Sequence, residues 1–358
     1  MKTRISTYND TSRIGKEKNH TLRLSHKHSV KNNVVLRLSH HNTEILSFPM
    51  PSNEEIEEEE AFKIFVKNFR KNYLYRCNKV KPEEFIHNFI YRHPEIFWLS
   101  NSYRLSIYGV GQTRRIDPIY AYSCDESRHL QQIIYQEIRI ITSGAMAFQT
   151  PFDRLKYIYE WFCENIKYCD NNTPEIYTVV GALRDHRAVC AGIAKAFMLA
   201  CLKVNIPCGL VSGNTGLSQE LKHCWNAVRI DGAIYHIDVT SGINCFDQMK
   251  IIGYPIFLVP ESELHLVRYI ATPTLMKESK KYKYTNAVKQ CFSNEDSLKQ
   301  WLKRVTEPGV FTISGDVNAW SNNAQYQECV KKNASLIYTR GRVMFNSYAH
   351  FTTVVKFL

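Results

Sequence analysis

Cys190, His223 and Asp238 lie in that order between Gly181 and Thr240, and together they could carry out thiol chemistry. A thiol is a weak nucleophile until it loses its proton. A histidine can take that proton, and a carboxylate can fix the tautomer and orientation of the imidazole. Cys190 opens the run Cys-Ala-Gly-Ile-Ala-Lys-Ala-Phe-Met-Leu-Ala-Cys-Leu-Lys-Val, where Ile193, Phe197, Ala200, Cys201 and Val204 fall at helical spacing and Pro207 ends the pattern. A thiol in the first turn of a helix feels the positive end of the macrodipole, which favours the thiolate. The backbone N–H groups of that turn lack intrahelical acceptors and could hold a developing oxyanion.

The other two residues belong to a ribbon. Asp231-Gly232 is a two-residue turn signal, because a type I′ turn needs positive φ at both central positions. That turn pairs Ile230 with Ala233. It sets Trp225 opposite Asp238 and His223 opposite Thr240. Strand alternation then puts His223, Trp225, Ala227 and Arg229 on one face with Thr240, Asp238, His236 and Ile234. His223 and Asp238 are diagonal neighbours, roughly 7–8 Å apart at the backbone, a gap two such side chains can bridge. The opposite face carries Cys224, Asn226, Val228 and Ile230 with Val239, Ile237, Tyr235 and Ala233, and reads as core.

Gly181-Ala182-Leu183, Val189-Cys190-Ala191-Gly192-Ile193-Ala194-Lys195-Ala196-Phe197, Asn205-Ile206-Pro207, Ser212-Gly213, His223-Cys224-Trp225-Asn226 and Tyr235-His236-Ile237-Asp238-Val239-Thr240 together resemble the core of the transglutaminase-like superfamily. Arg154 to Trp161 and Asn165-Ile166-Lys167-Tyr168 resemble the segment that precedes that core, so the likeness spans roughly residues 150 to 245. The resemblance implies a papain-like α+β fold, in which a helix carrying the cysteine packs on an antiparallel sheet. It also implies Cys190 as nucleophile, His223 as base and Asp238 as orienting acid. Where the family often has glutamine after the cysteine, this chain has Ala191. The family's second oxyanion donor often lies upstream of the nucleophile, and no residue here is matched to it. Trp225 and Ala191 are expected in the substrate or oxyanion environment, Trp225 as a wall or shield for the imidazole.

Each of these residues also has a plainer explanation. A lone cysteine at a helix start is often core, and His236, on the same face as His223, is an alternative base. Cys224 is expected to point into the core and to be inert. The leading expectation is cysteine-dependent acyl transfer on an amide or peptide, giving a protease or amidase if water resolves the thioester and a transamidase if an amine does. A binding or assembly module that kept the fold without the activity is the alternative. An acyltransferase with a thioester donor, like the arylamine acetyltransferases, shares the triad order, but its usual sequence surroundings are not recognisable. No cofactor is expected. No metal site is expected either, since His26, His28, His40 and His41 lack nearby cysteines or a rigid frame.

At 358 residues the chain has room for two or three cores. Its composition, 44% hydrophobic and 12% aromatic, excludes a wholly disordered chain. Residues 1–60 are expected to be a poorly ordered, low-complexity tail in which Leu-Arg-Leu-Ser-His occurs at 22–26 and again at 36–40. Residues 61–142 read as a mainly helical region, with short strand-like pieces near 102–110 and 115–122. This region resembles the N-terminal extension of some bacterial members of the superfamily. Residues 143–245 form the expected catalytic core, and 246–358 a small α+β module.

Residues 1–60 hold nine Lys/Arg and nine Asp/Glu, so the net charge of +12 falls on 61–358. A protein or peptide substrate is expected; the charge excess could attract nucleic acid, anionic lipid or an acidic polymer or surface, a solvated basic surface is the plainer reading, and no nucleic-acid motif is recognisable. No apolar run reaches the ~18 residues of a membrane span. The eleven cysteines are odd in number with no Cys-x-x-Cys pair, and the N-terminus lacks the apolar stretch of a secretory signal. A cytoplasmic location is therefore expected, with export open if the N-terminus is incomplete.

Overall fold

The computed structural model describes residues 4–7, 45–47 and 50–358, apart from 109–112, 217, 221, 251, 266–267, 275–276, 280, 283–290, 306, 308, 317–318, 339–342 and 349–351. Both Leu-Arg-Leu-Ser-His copies and the four N-terminal histidines named above lie outside the described residues.

The first layer is built from β1 (Arg4–Thr7), α1 (Asn53–Lys67), β2 (Tyr73–Tyr75), α2 (Pro82–Arg92), β3 (Leu99–Tyr108) and β4 (Thr113–Tyr120). The strands form an antiparallel sheet in the order β1-β3-β4-β2. The strand-like pieces expected near 102–110 and 115–122 are β3 and β4, and helix still outweighs strand over 61–142. Tyr103, Leu105 and Ile116 are buried on this sheet, and α1 runs no further than Lys67, since Tyr73–Tyr75 joins the sheet.

The tail expected at 1–60 needs correction. Asn53 to Glu60 form the first half of α1, capped by Ser52. Glu59, fully buried, binds Arg92 at 2.6 Å and His93 at 2.6 Å, and Glu55 binds Arg92 at 2.8 Å. Glu55 and Glu59 are held inside the fold because cations at the end of α2 neutralise them. Residues 45–46 reach further, with Leu46 donating its backbone N–H to Cys208.

The central layer follows: α3 (Cys124–Ala145), α4 (Pro151–Asn165), β5 (Lys167–Tyr168), a 3-10 turn (Pro174–Tyr177), α5 (Val179–Leu183), β6 (Arg187–Ala188), α6 (Cys190–Lys203), β7 (Cys208–Gly213), β8 (His223–Ile230), β9 (Ala233–Ile237), α7 (Val239–Met249), β10 (Phe257–Val259) and α8 (Glu261–Leu264). Strands β10-β9-β8-β7 form an antiparallel sheet. Helix α6 lies against β7 and β8 and touches α4, α5 and α7. Its residues are buried almost all round, including Ile193, Phe197, Ala200 and Cys201, as expected of a helix at the centre of a domain. One continuous core runs from Phe62 and Phe89 through Ile138 and Phe162 to Phe197 and Ile237, and α3 crosses the boundary expected at 142/143.

The β8–β9 register is the one derived from the turn: Ile230 pairs with Ala233, and Asn226 with Ile237. Asp231 and Gly232 both have positive φ, 49° and 76°. The pairing stops earlier than the alternation implied. Val239 and Thr240 begin α7, and Asp238 caps it by accepting from Ser241 N, because an aspartate at a strand end satisfies a free helix N–H better than further strand would. The sheet face bearing Trp225 is not open. Leu46, Val211, Ile256, Leu264 and Ile270 bury it together with Ala227 and Ile234.

Strand β11 (Cys291–Phe292), α9 (Glu295–Leu302), β12 (Gly309–Gly315), α10 (Asn323–Ile337), β13 (Val343–Tyr348) and β14 (Thr352–Phe357) complete the chain. The sheet order is β11-β12-β14-β13, with β11 parallel to β12 and the other pairs antiparallel. A second core gathers Phe292, Leu298, Ile313, Tyr326, Val330 and Phe357. Among the described residues no helix is long and apolar enough to cross a membrane.

Candidate active site

Cys190 occupies the first position of α6 and is partly exposed. Val189, before it, offers no capping side chain, and the first helical hydrogen bond runs from Ile193 N to Val189 O. The N–H groups of the first turn are thus left for an external acceptor. The turn is pinned in place by its neighbours. Val189 N donates to Ile176 O, and a Cβ at Gly192 would come within 2.2 Å of that same carbonyl. Glycine is needed here so that the head of α6 can rest on the 3-10 turn.

His223 begins β8, opposite Gly213 of β7. Its Nε2 lies 2.8 Å from Asp238 Oδ2. Cys190 is close enough to this ring that their contact is one of the causes that raise its pKa. With Nε2 committed to the carboxylate, Nδ1 is the nitrogen left for the thiol. Burial alone would lower the His223 pKa, but the charge and hydrogen bond of Asp238 outweigh it and, with the Cys190 contact, carry it up to about 9.

Asp238 is fully buried. Oδ2 accepts from His223, from Ser241 Oγ at 2.6 Å and from Arg268 Nη2 at 2.8 Å, and Oδ1 accepts from Ser241 N at 3.2 Å. Burial would raise its pKa; the charges of His223 and Arg268 instead hold it well below the usual carboxylate range. Asp238 is therefore the anion of a three-member charge cluster.

Arg268 and Ser241 were not anticipated from sequence. Ser241 has a faint signal, as the N3 position of a helix capped by Asp238. Arg268 has none, since it follows α8 beyond the recognisable segment. Arg268 is buried, lies 5.2 Å from the centre of the Trp225 ring and also donates to Ser241 Oγ at 3.3 Å. Tyr168, paired with Ala188 two residues before the cysteine, is near enough that burial, and after it the charge of a Cys190 thiolate, raises its pKa.

Trp225 stacks on His223 with ring centres 5.7 Å apart. It is 1% exposed, and its N–H donates to His236 Nδ1 at 3.0 Å. That corrects its expected place in the substrate or oxyanion environment: the indole N–H is already used inside the protein, and the ring is a wall behind the imidazole. His236 is fully buried, and its Nε2 faces Glu261 at 3.2 Å. Both its nitrogens are occupied away from Cys190, which removes the reason to consider it as a base. Cys224 is buried, and burial pushes its thiol well above the usual range. Ala191 lines a cavity beside the head of α6.

Residues 141–239 match the family model of the transglutaminase-like superfamily, a span that includes Cys190, His223 and Asp238. The kyphoscoliosis peptidases of Homo sapiens and Mus musculus are each 28% identical to this chain over 111 residues, which cover 27% of it and 17% of theirs. The aligned part is thus less than a fifth of those relatives' length. A crystal structure of a TGase is 15% identical and covers 38% of this chain and 43% of its own, with a TM-score of 0.29. Residues 141–239 of this chain thus carry a likeness to the transglutaminase-like superfamily.

Proposed function

We propose that this protein is a cysteine-dependent acyl-transfer enzyme acting on a peptide or amide, with Cys190 as nucleophile, His223 as general acid–base and Asp238 as the orienting acid. The observation that supports it most is the 2.8 Å contact of His223 Nε2 with a buried carboxylate that Arg268 also pairs, while the same ring is in contact with a cysteine at a helix head. A peptidase name among the relatives is consistent with this reading.

Asp238 favours the imidazolium, and the imidazolium and the head of α6 favour the thiolate beside it. The sulfur attacks the carbonyl carbon, forming a C–S bond, and the oxygen takes up the displaced electron pair facing the free N–H groups of the first turn. As the C–N bond breaks, His223 gives its proton to the leaving amine and a thioester remains. Water or a second amine then attacks. His223 takes its proton, the C–S bond breaks, and Cys190 is regenerated with an acid or a new amide as product. Trp225 keeps water from one side of the imidazole.

Peptide mixtures incubated with the wild type and with Cys190→Ala, with and without an added primary amine, test the reading by mass spectrometry. Cleaved or amine-bearing products that depend on Cys190 are expected. Full turnover by Cys190→Ala would overturn it.

A further inference from the structure

A cavity of about 160 Å³ lies beside the head of α6, roughly ten times the volume that one ordered water requires. Ala191 and Lys195, one turn apart on α6, line it on one side; α2, β3 and Tyr177 of the 3-10 turn supply the rest, with Ile86 and Ile90 as apolar wall and Tyr91 and Tyr103 as polar-tipped rings. Its edge at Ala191 is the residue next to Cys190.

Lys195 is the unusual member of this lining. It is 7% exposed, yet no carboxylate pairs with it among the described residues. Its Nζ donates to Tyr177 O at 3.1 Å and sits 6.0 Å from the centre of the Tyr91 ring. An ammonium has three donors and no acceptor, and a buried charge without a counter-charge is costly. Glu83 lines the same cavity but is only half-buried and makes no ion pair with Lys195.

We infer that this cavity is a substrate subsite for a carboxylate of a peptide, with Lys195 as its cationic floor. The inference rests on Cys190 being the nucleophile, because that places the subsite next to the reacting bond. It also gives the N-terminal layer a role, since α2 and β3 form most of the cavity. Burial lowers the Lys195 pKa, and a bound carboxylate would restore the ammonium. The chain's net charge of +12 favours the approach of such a substrate. The carboxylate could be an acidic side chain or a peptide's own C-terminus.

The test uses the full chain and reads protection of Cys190 from iodoacetamide by mass spectrometry. The protecting peptides are acetylated pentaalanines carrying Glu, Gln or Lys at each position in turn, as free acids and as C-terminal amides. A hydrogen bond to a charged group predicts that a carboxylate peptide protects at a concentration about tenfold or more below its amide counterpart. In Lys195→Gln that ratio falls toward one. A Glu-over-Gln preference assigns the group to a side chain; a free-acid-over-amide preference assigns it to the peptide terminus. Equal protection by acid and amide, or a preference for Lys, would overturn the inference in the wild type alone, whatever the folding of the variant. If unprotected Cys190 reacts no faster than exposed Cys291, the catalytic reading fails instead; protection of Cys190 is still measurable, so the two failures are separate.

Discussion

Asp238→Asn probes the electrostatics of the site with a change of a few atoms. In the wild type, burial lowers the His223 pKa and the Asp238 charge overrides it, taking the value from an ordinary 6.5 up to about 9. At about 1.4 kcal/mol per pH unit, that gap corresponds to roughly 3 kcal/mol of preference for the imidazolium. Because the folded-state value is the raised one, this stabilisation is complete below pH 6.5 and is lost as pH rises through about 9. Asparagine keeps the shape and removes the charge, so burial should win and His223 should titrate at or below 6.5. Two measurements check this. NMR titration of the His223 ring should show the drop directly. Denaturant unfolding at about pH 6 and 9.5 should show wild-type stability falling by an amount of that order, and the variant should lack that fall. The variant should also lose stability overall, because Arg268 is left buried without its anion, typically at about 3–5 kcal/mol. A His223 pKa that stays near 9 in Asp238→Asn would refute the assignment of Asp238 as the cause.

Cys190→Ala should abolish turnover and change stability by less than about 1 kcal/mol, since Cys190 is partly exposed; activity assays and urea unfolding check the two halves. Glu59→Ala should cost about 3–5 kcal/mol by urea unfolding, because Arg92 and His93 would remain buried without their partner. Gly192→Ala should destabilise by about 1–3 kcal/mol and slow Cys190 labelling, since the added methyl meets the Ile176 carbonyl and displaces the helix head.

What the sequence revealed and what it concealed divide along physical lines. The β8–β9 register was legible because Asp231-Gly232 admits one tight turn and strand alternation propagates it to His223 and Asp238. Helix α6 was legible because Ile193, Phe197, Ala200 and Cys201 repeat at its period. Contacts between distant segments left no such mark. Arg268 meets Asp238 through a connection after α8 that carries no periodicity. The first glutamates of α1 fell in the segment read as a tail, because the cations that hold them, Arg92 and His93, lie more than thirty residues later. Asp238 looked like a strand residue because its helix-capping role competes with the same alternation. Trp225 looked available because the segments covering its face come from Leu46 on one side and from 256–270 on the other.

The central claim is that His223 and the head of α6 make one thiol different from the rest. Alkylation of the native chain with limiting iodoacetamide, quantified cysteine by cysteine, tests it most directly. Cys291 is exposed and serves as an internal reference. Cys190, although less exposed, should be modified first at neutral pH, and His223→Ala should bring its rate down to or below that of Cys291. Labelling of Cys190 that merely follows its exposure, unchanged by the loss of His223, would contradict the account.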